Sequence, residues 1–97
     1  MPKGYWIAHI DVADTASYDR YKALASAAAT SHGARYLVRG GAQDLVEGTA
    51  RSRTVVLEFP TIEAARACYF GPAYQEARAI RQAASAGDFL IVEGAGD

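Results

Sequence analysis

Cysteine is nearly missing from this chain: Cys68 stands alone, so no disulfide can form within it. Histidine is scarce too, and a zinc site improvised from Cys68, His9 or His32 and scattered carboxylates has no recognisable ligand spacing, so no metal is expected. Charge of one sign is also lacking. Ten Lys and Arg stand against eleven Asp and Glu, a net charge of −1, which provides no field to gather phosphate backbones and argues against a nucleic-acid partner. No apolar run approaches the ~20 residues that span a bilayer, so no membrane partner is expected. The opening Met1-Pro2-Lys3-Gly4-Tyr5-Trp6 has neither the basic nor the apolar region of a secretory leader, and a cytoplasmic location is the expectation. Phosphate-cradling glycine loops, dinucleotide fingerprints, serine elbows and paired-carboxylate signatures are absent as well, so no standard cofactor is expected. That absence leaves catalysis open.

What is present suits a small globular fold. Residues are 51% hydrophobic and 22% charged, and 97 of them make a single domain over residues 1–97 with one core. Residues 5–12 alternate bulky apolar side chains as a strand does, and Asp14 then offers a cap for a helix from Ala16 to Ser31. Tyr18, Tyr21, Ala25, Ala28 and His32 recur at helical spacing, and Gly33 supplies a left-handed stop. A second strand over 34–40 and a third over 53–59 form a hairpin around a long loop, where Gly40-Gly41 and Gly48 mark a bulge and a turn. Thr61 caps a second helical region that Gly71-Pro72 splits in two, and Gly87 is expected to end it before a fourth strand over 88–93.

The order β-α-β-β-α-β, closed with right-handed crossovers, predicts an α+β, ferredoxin-like domain: a four-stranded antiparallel sheet with two helices on one face. Strand parity assigns Trp6, Ala8, Ile10, Tyr36, Val38, Val55, Leu57, Phe59, Leu90 and Val92 to the helix side. The opposite parity carries Tyr5, Ile7, Leu37, Val56, Phe89 and Ile91 among His9, Asp11, Arg35, Arg39, Thr54, Glu58 and Glu93. Six large apolar side chains are more than a monomer usually leaves bare, so a second copy is expected to cover that face and form a homodimer. Leu45 and Val46 in the long loop are expected to reach the partner.

Several stretches together carry a resemblance: Gly4-Tyr5-Trp6-Ile7-Ala8, Tyr18 with Tyr21, Leu37-Val38-Arg39-Gly40-Gly41, Glu47-Gly48, Val56-Leu57-Glu58-Phe59-Pro60, Ala64-Ala65-Arg66, and Pro72-Ala73-Tyr74-Gln75 followed by Arg81. On these the chain resembles the domain-of-unknown-function family 1330, within the dimeric α/β-barrel superfamily. Cys68 and Phe70-Gly71 depart from that pattern. The resemblance implies a protomer whose sheet packs on a partner's sheet, and it implies no established reaction. Relatives in the superfamily include cofactor-independent monooxygenases, haem-degrading enzymes and small isomerase-like proteins.

Two groups of residues could carry chemistry. His9, Arg39 and Glu58 share strand parity and are expected to form one polar cluster, with His9 as a general base and Arg39 as a fork for a carboxylate. Structurally, His9 could equally be an interface residue, and the arginines could simply pair with acids; Arg35 would then oppose Glu58. Tyr18, Tyr21, Tyr69 and Tyr74 with Arg66, Arg78 and Arg81 could wall a small-molecule pocket between the helices and the sheet, and Arg39 beside the flexible Gly40-Gly41 is a further ligand-binding candidate. Helical spacing also explains these tyrosines as core, and Cys68 as buried and inert. The two functions that remain are a cofactor-free small-molecule binder or enzyme, and a non-catalytic dimeric interaction module.

Overall fold

The structure is a computed structural model that describes residues 1–96. Along the chain run β1 (Gly4–Val12), α1 (Thr15–Ser31), β2 (Arg35–Arg39), β3 (Arg53–Phe59), α2 (Ile62–Phe70), α3 (Pro72–Ala84) and β4 (Ser85–Glu93). The strands form one antiparallel sheet in the order β2-β3-β1-β4. This is the ferredoxin-like arrangement, with α2 and α3 as the two pieces of the second helical segment. Among the described residues, no helix is long and apolar enough to cross a membrane.

Local chemistry sets the starts of α1 and α2, the end of α1 and the break between α2 and α3 where the sequence predicts them. Asp14 accepts from the Ser17 amide at 3.2 Å, and Thr61 accepts from the Ala64 amide at 3.1 Å. Gly33 ends α1 at φ 79°, and the His32 ring reaches back to the Ala28 carbonyl at 3.0 Å. Gly71 is extended between α2 and α3, and Pro72 opens α3, whose first turn needs no amide from it.

The core lies between the helices and one sheet face. Trp6, 2% exposed, is packed among Phe59, Tyr74 and Phe89 at centroid distances of 4.8, 4.7 and 5.3 Å. Its indole N–H donates to the Ala65 carbonyl at 3.0 Å, so the one polar atom of the ring is satisfied.

Three sequence expectations are corrected here. Strand β4 begins at Ser85, and Gly87 lies inside it opposite Ile10 instead of capping a helix. A Cβ there would stand 2.6 Å from the His9 carbonyl oxygen, so the residue is glycine for close approach. Pairing of Trp6 with Ile91 and Ala8 with Phe89 puts Phe89 and Ile91 against the core, and Leu90 and Val92 on the open face. The third correction is in β2. Its register shifts between Tyr36 and Val38, so the bulge sits at Leu37, ahead of Gly40-Gly41. Past it, Val38 pairs with Val56 on the open face, and Arg39, opposite Val55, turns to the helix side.

The open face is thereby divided. Tyr5, Ile7, Val38, Val56, Leu90 and Val92 form an apolar half, while His9, Asp11, Thr54 and Asp88 gather at the other end under the returning loop. The loop tip, Leu45 and Val46, is exposed.

Candidate functional site

A cleft opens between α1 and the helix-side face of the sheet. Trp6, Tyr18, Tyr21, Tyr36 and Phe89 supply aromatic walls, and Lys22, Arg39 and Arg53 supply the polar rim. The bulge in β2 is what delivers Arg39: its Nη2 donates to Ser26 Oγ at 2.9 Å, and its guanidinium carbon lies 4.1 Å above the Tyr36 ring. Arg53 enters from the start of β3, 5.5 Å from the Tyr18 ring centre. Gly40, at φ 71°, leaves room for it, since a Cβ there would overlap the Arg53 guanidinium. Lys22 pairs with Asp19 at 3.1 Å, but neither Arg39 nor Arg53 meets a carboxylate among the described residues. The Arg53 Nε is buried and has no hydrogen-bond partner there. The cleft with its open mouth encloses about 450 Å³, of which a water-sized sphere can enter about 30 Å³.

Behind the aromatic wall lies a second layer. The Tyr21 and Tyr74 hydroxyls are 2.8 Å apart, and Tyr69 packs in tilted contact with Tyr74 and Phe89 at centroid distances of 5.1 Å each. Burial pushes both the Tyr21 and Tyr74 phenols above their ordinary value, so both keep their protons, and either can donate in the bond between them. Arg81 is 6% exposed, with its guanidinium carbon 5.1 Å from the Phe89 ring centre and its Nε unpartnered. Burial works against its charge, and the Tyr74 and Tyr21 oxygens beside it favour that charge. No carboxylate pairs with it among the described residues.

The residues singled out in the sequence therefore fall into separate places. Tyr18, Tyr21 and Arg39 line the cleft; Tyr69, Tyr74 and Arg81 form the layer behind it. Arg78 Nε donates to the Tyr69 hydroxyl at 3.1 Å, and Arg66 is exposed. The expected cluster of His9, Arg39 and Glu58 does not form, because the bulge at Leu37 reverses the face of Arg39. His9 and Glu58 stay on the open face but pair with Thr54 and Tyr5, four positions apart along β3, about 13 Å at strand spacing. Glu58 accepts from the Tyr5 hydroxyl and from Arg35 Nε, each at 2.9 Å, so the predicted Arg35–Glu58 pair is present. Cys68 is buried, its thiol pushed up to about 11 by desolvation, which suits an inert residue.

Sequence reasoning missed Lys22, Arg53 and Phe89 as cleft residues. Arg53 had a readable signal: it shares parity with Val55 and Leu57, so it points to the helix side at the sheet's end. Phe89 had none, since four consecutive apolar residues give no alternation to read.

Among solved structures, the chain is similar to a protein of unknown function from Rhodopseudomonas palustris, with a TM-score of 0.78, 15% identity, and 95% of this chain and 82% of that one covered. It is similar to SnoaB, a cofactor-independent oxygenase from Streptomyces nogalater, with a TM-score of 0.61, 12% identity, and 95% and 92% covered. A third similar structure, from Chloroflexus aurantiacus, is provisionally assigned to the antibiotic biosynthesis monooxygenases; its TM-score is 0.56 at 21% identity, with 97% and 95% covered. At these identities the likeness establishes the fold. No curated protein matches the sequence. The profile of a domain of unknown function, DUF1330, matches residues 3–95, and the chain belongs to that family.

Proposed function

We propose that the protein binds a small molecule with an apolar, aromatic-sized body and an acidic group, without a resident cofactor, in the cleft between α1 and the sheet. The observation that carries this reading is the mismatch at the rim. Two guanidiniums, Arg39 and Arg53, border an aromatic cleft that has no acid in its lining, and one of them keeps a buried N–H unpartnered. Such a donor is costly to leave unmade, and a ligand carboxylate or enolate-like oxygen would satisfy it. The protonated Tyr21–Tyr74 pair and the buried charge of Arg81 would favour negative charge on the same ligand. SnoaB, which shares the fold and is described as a cofactor-independent oxygenase, supports chemistry in such a pocket without a bound helper.

The functional unit in this reading is a homodimer closed through the apolar half of the open face. Tyr5, Ile7, Val38, Val56, Leu90 and Val92 support it, with Leu90 51% exposed and Val92 40% exposed in one copy. A stable pairing would bury about 800 Å² on each protomer.

Trp6 makes the ligand proposal testable, because it is the only tryptophan and lines the cleft. Titration with aromatic carboxylates should quench its fluorescence saturably, and Arg53→Gln should abolish the effect while the fold survives. Absence of quenching by any acid, and of any small molecule in mass spectra of the purified protein, would remove this reading. The second reading, a dimeric module without a ligand, is favoured by the small free volume: about 30 Å³ is room for about one water. Binding therefore requires the Lys22, Arg39 and Arg53 side chains to swing outward.

A further inference from the structure

On the polar end of the open face lies a groove of about 320 Å³, lined by His9, Thr49, Ala50, Arg51 and Asp88, which the cleft proposal does not use. A hydrogen-bond chain fixes the chemistry of its histidine. Gln43 Nε2 donates to the Arg51 carbonyl at 2.8 Å, which settles the amide orientation and leaves Oε1 as an acceptor. Thr54 Oγ1 spends its single proton on that Oε1 at 2.7 Å. At 3.3 Å from His9 Nδ1, the same hydroxyl can then only accept, so the neutral ring carries its proton on Nδ1. Nε2 is left a bare acceptor, with no hydrogen bond among the described residues.

The walls are held in place independently of any ligand. Asp11 accepts from the Ser52 amide at 2.9 Å and from Arg51 Nη1 at 3.0 Å, and Asp88 accepts from Arg51 Nε at 3.2 Å. These bonds clip the returning loop to β1 and β4, so the groove is formed in advance. Hydrogen bonds from Ser52 and Arg51 hold the Asp11 carboxyl below its ordinary range, and bonds to Asp88 and Asp11 hold Arg51 above its own. In the lining, Asp88 stands against Arg51, whose guanidinium is already held by Asp88 at 3.2 Å and by Asp11, outside the lining, at 3.0 Å.

We propose that this groove is a second binding site, for a small cation carrying N–H donors such as a protonated amine, with His9 Nε2 and the Asp88 carboxylate as its acceptors. An anion would meet the Asp88 carboxylate, a lone pair and an Arg51 guanidinium already engaged by Asp88 and Asp11, whereas an ammonium matches both acceptors.

The test uses the protein labelled with ¹⁵N-histidine, at a pH where the rings are neutral, with benzylamine as probe and benzoate as its anionic counterpart. His9 should report the Nδ1–H tautomer before any addition. Benzylamine should move its Nε2 resonance saturably, with a Kd of about 1 mM as befits a few exposed polar contacts. Asp88→Asn should weaken that response at least tenfold, and Thr54→Val should shift the tautomer toward Nε2–H and weaken it too. An Nε2–H tautomer in the unliganded protein, an undiminished response in Asp88→Asn, or an equal response to benzoate overturns the proposal. Trp6 quenching by acids reads the cleft separately, so either site can fail alone.

Discussion

Trp6 and Ile7 are neighbours in the chain and sit on opposite faces of β1, and the contrast between them separates two kinds of requirement. On the helix side, Trp6 is surrounded by Phe59, Tyr74 and Phe89, and nothing outside the protomer is needed to complete its packing. On the open side, Ile7 lies between Val56 and Leu90 with no layer above it. The first face folds the protein and holds one cleft in its seam. The second leaves an apolar half uncovered and has a polar end built by a loop. A substitution should therefore be read by different experiments depending on its side.

The largest effect belongs to the covered face. Trp6→Ala should cost about 3–5 kcal/mol, because it removes the largest core ring and its buried hydrogen bond to the Ala65 carbonyl. Urea unfolding followed by circular dichroism measures this, and a loss under about 1 kcal/mol would mean that the core repacks around the gap.

Next comes the open face. Val56→Glu should leave the protomer folded, since no helix covers that side, yet weaken association by about a hundredfold or more, the ~3 kcal/mol of an unpaired buried charge. Light scattering and circular dichroism on one sample separate the two outcomes. A monomeric mass for the unsubstituted protein at micromolar concentration would remove the dimer proposal altogether.

A smaller effect tests the reversal of Arg39. Its Ser26 hydrogen bond and its contact with Tyr36 are exposed, so Arg39→Ala should cost at most about 1 kcal/mol. Combining Arg39→Met with Glu58→Leu should give additive losses, as the residues lie on opposite faces and share no partner. Rescue in the double variant would place the two together after all. Loss of acid binding in Arg39→Ala, with stability nearly intact, is the expected signature of a cleft residue.

These contrasts also mark what was legible in the sequence. Element order, the caps at Asp14, Thr61 and Gly33, the split second helix and the parity of β1 and β3 were readable, because each rests on local patterns such as Asp14 before Thr15-Ala16-Ser17 or the alternation through Trp6, Ala8 and Ile10. Two features were not. The bulge at Leu37 has no glycine or proline to announce it, and one inserted residue reverses every side chain beyond it. Strand β4 offers Phe89-Leu90-Ile91-Val92, where both registers bury an apolar pair, and only pairing with β1 decides between them. Both failures fell on the candidate site. The cluster assigned to His9, Arg39 and Glu58 depended on the β2 parity, and the cleft's Phe89 depended on that of β4. Tyr18 and Tyr21 were found because helical spacing survives without tertiary information.

The smallest expected effect is a pH dependence at the apolar end of the open face. The Glu58 carboxyl lies below its ordinary range, chiefly through the hydrogen bond from the Tyr5 hydroxyl and then through that from Arg35. A carboxyl whose folded pKa is depressed stabilises the fold above its unfolded pKa, and the contribution disappears as pH falls through the folded value. Tyr5→Phe removes the larger cause, so the folded value should return toward the ordinary one. The variant's stability should then lie below that of the parent near neutrality, with the two curves converging in acid once Glu58 is protonated in both. The same bond raises the Tyr5 phenol, and that contribution runs the other way: present below the unfolded phenol pKa and lost as pH rises through the folded value. Urea midpoints of the two proteins from acid to alkaline pH measure both limbs. Arg35→Gln, which removes the lesser cause, should move the acid limb less than Tyr5→Phe does. Parallel curves for parent and Tyr5→Phe would mean that the exposed Arg35 pairing, not the phenol, holds Glu58 ionised, and that the open face carries no tuned carboxyl of its own.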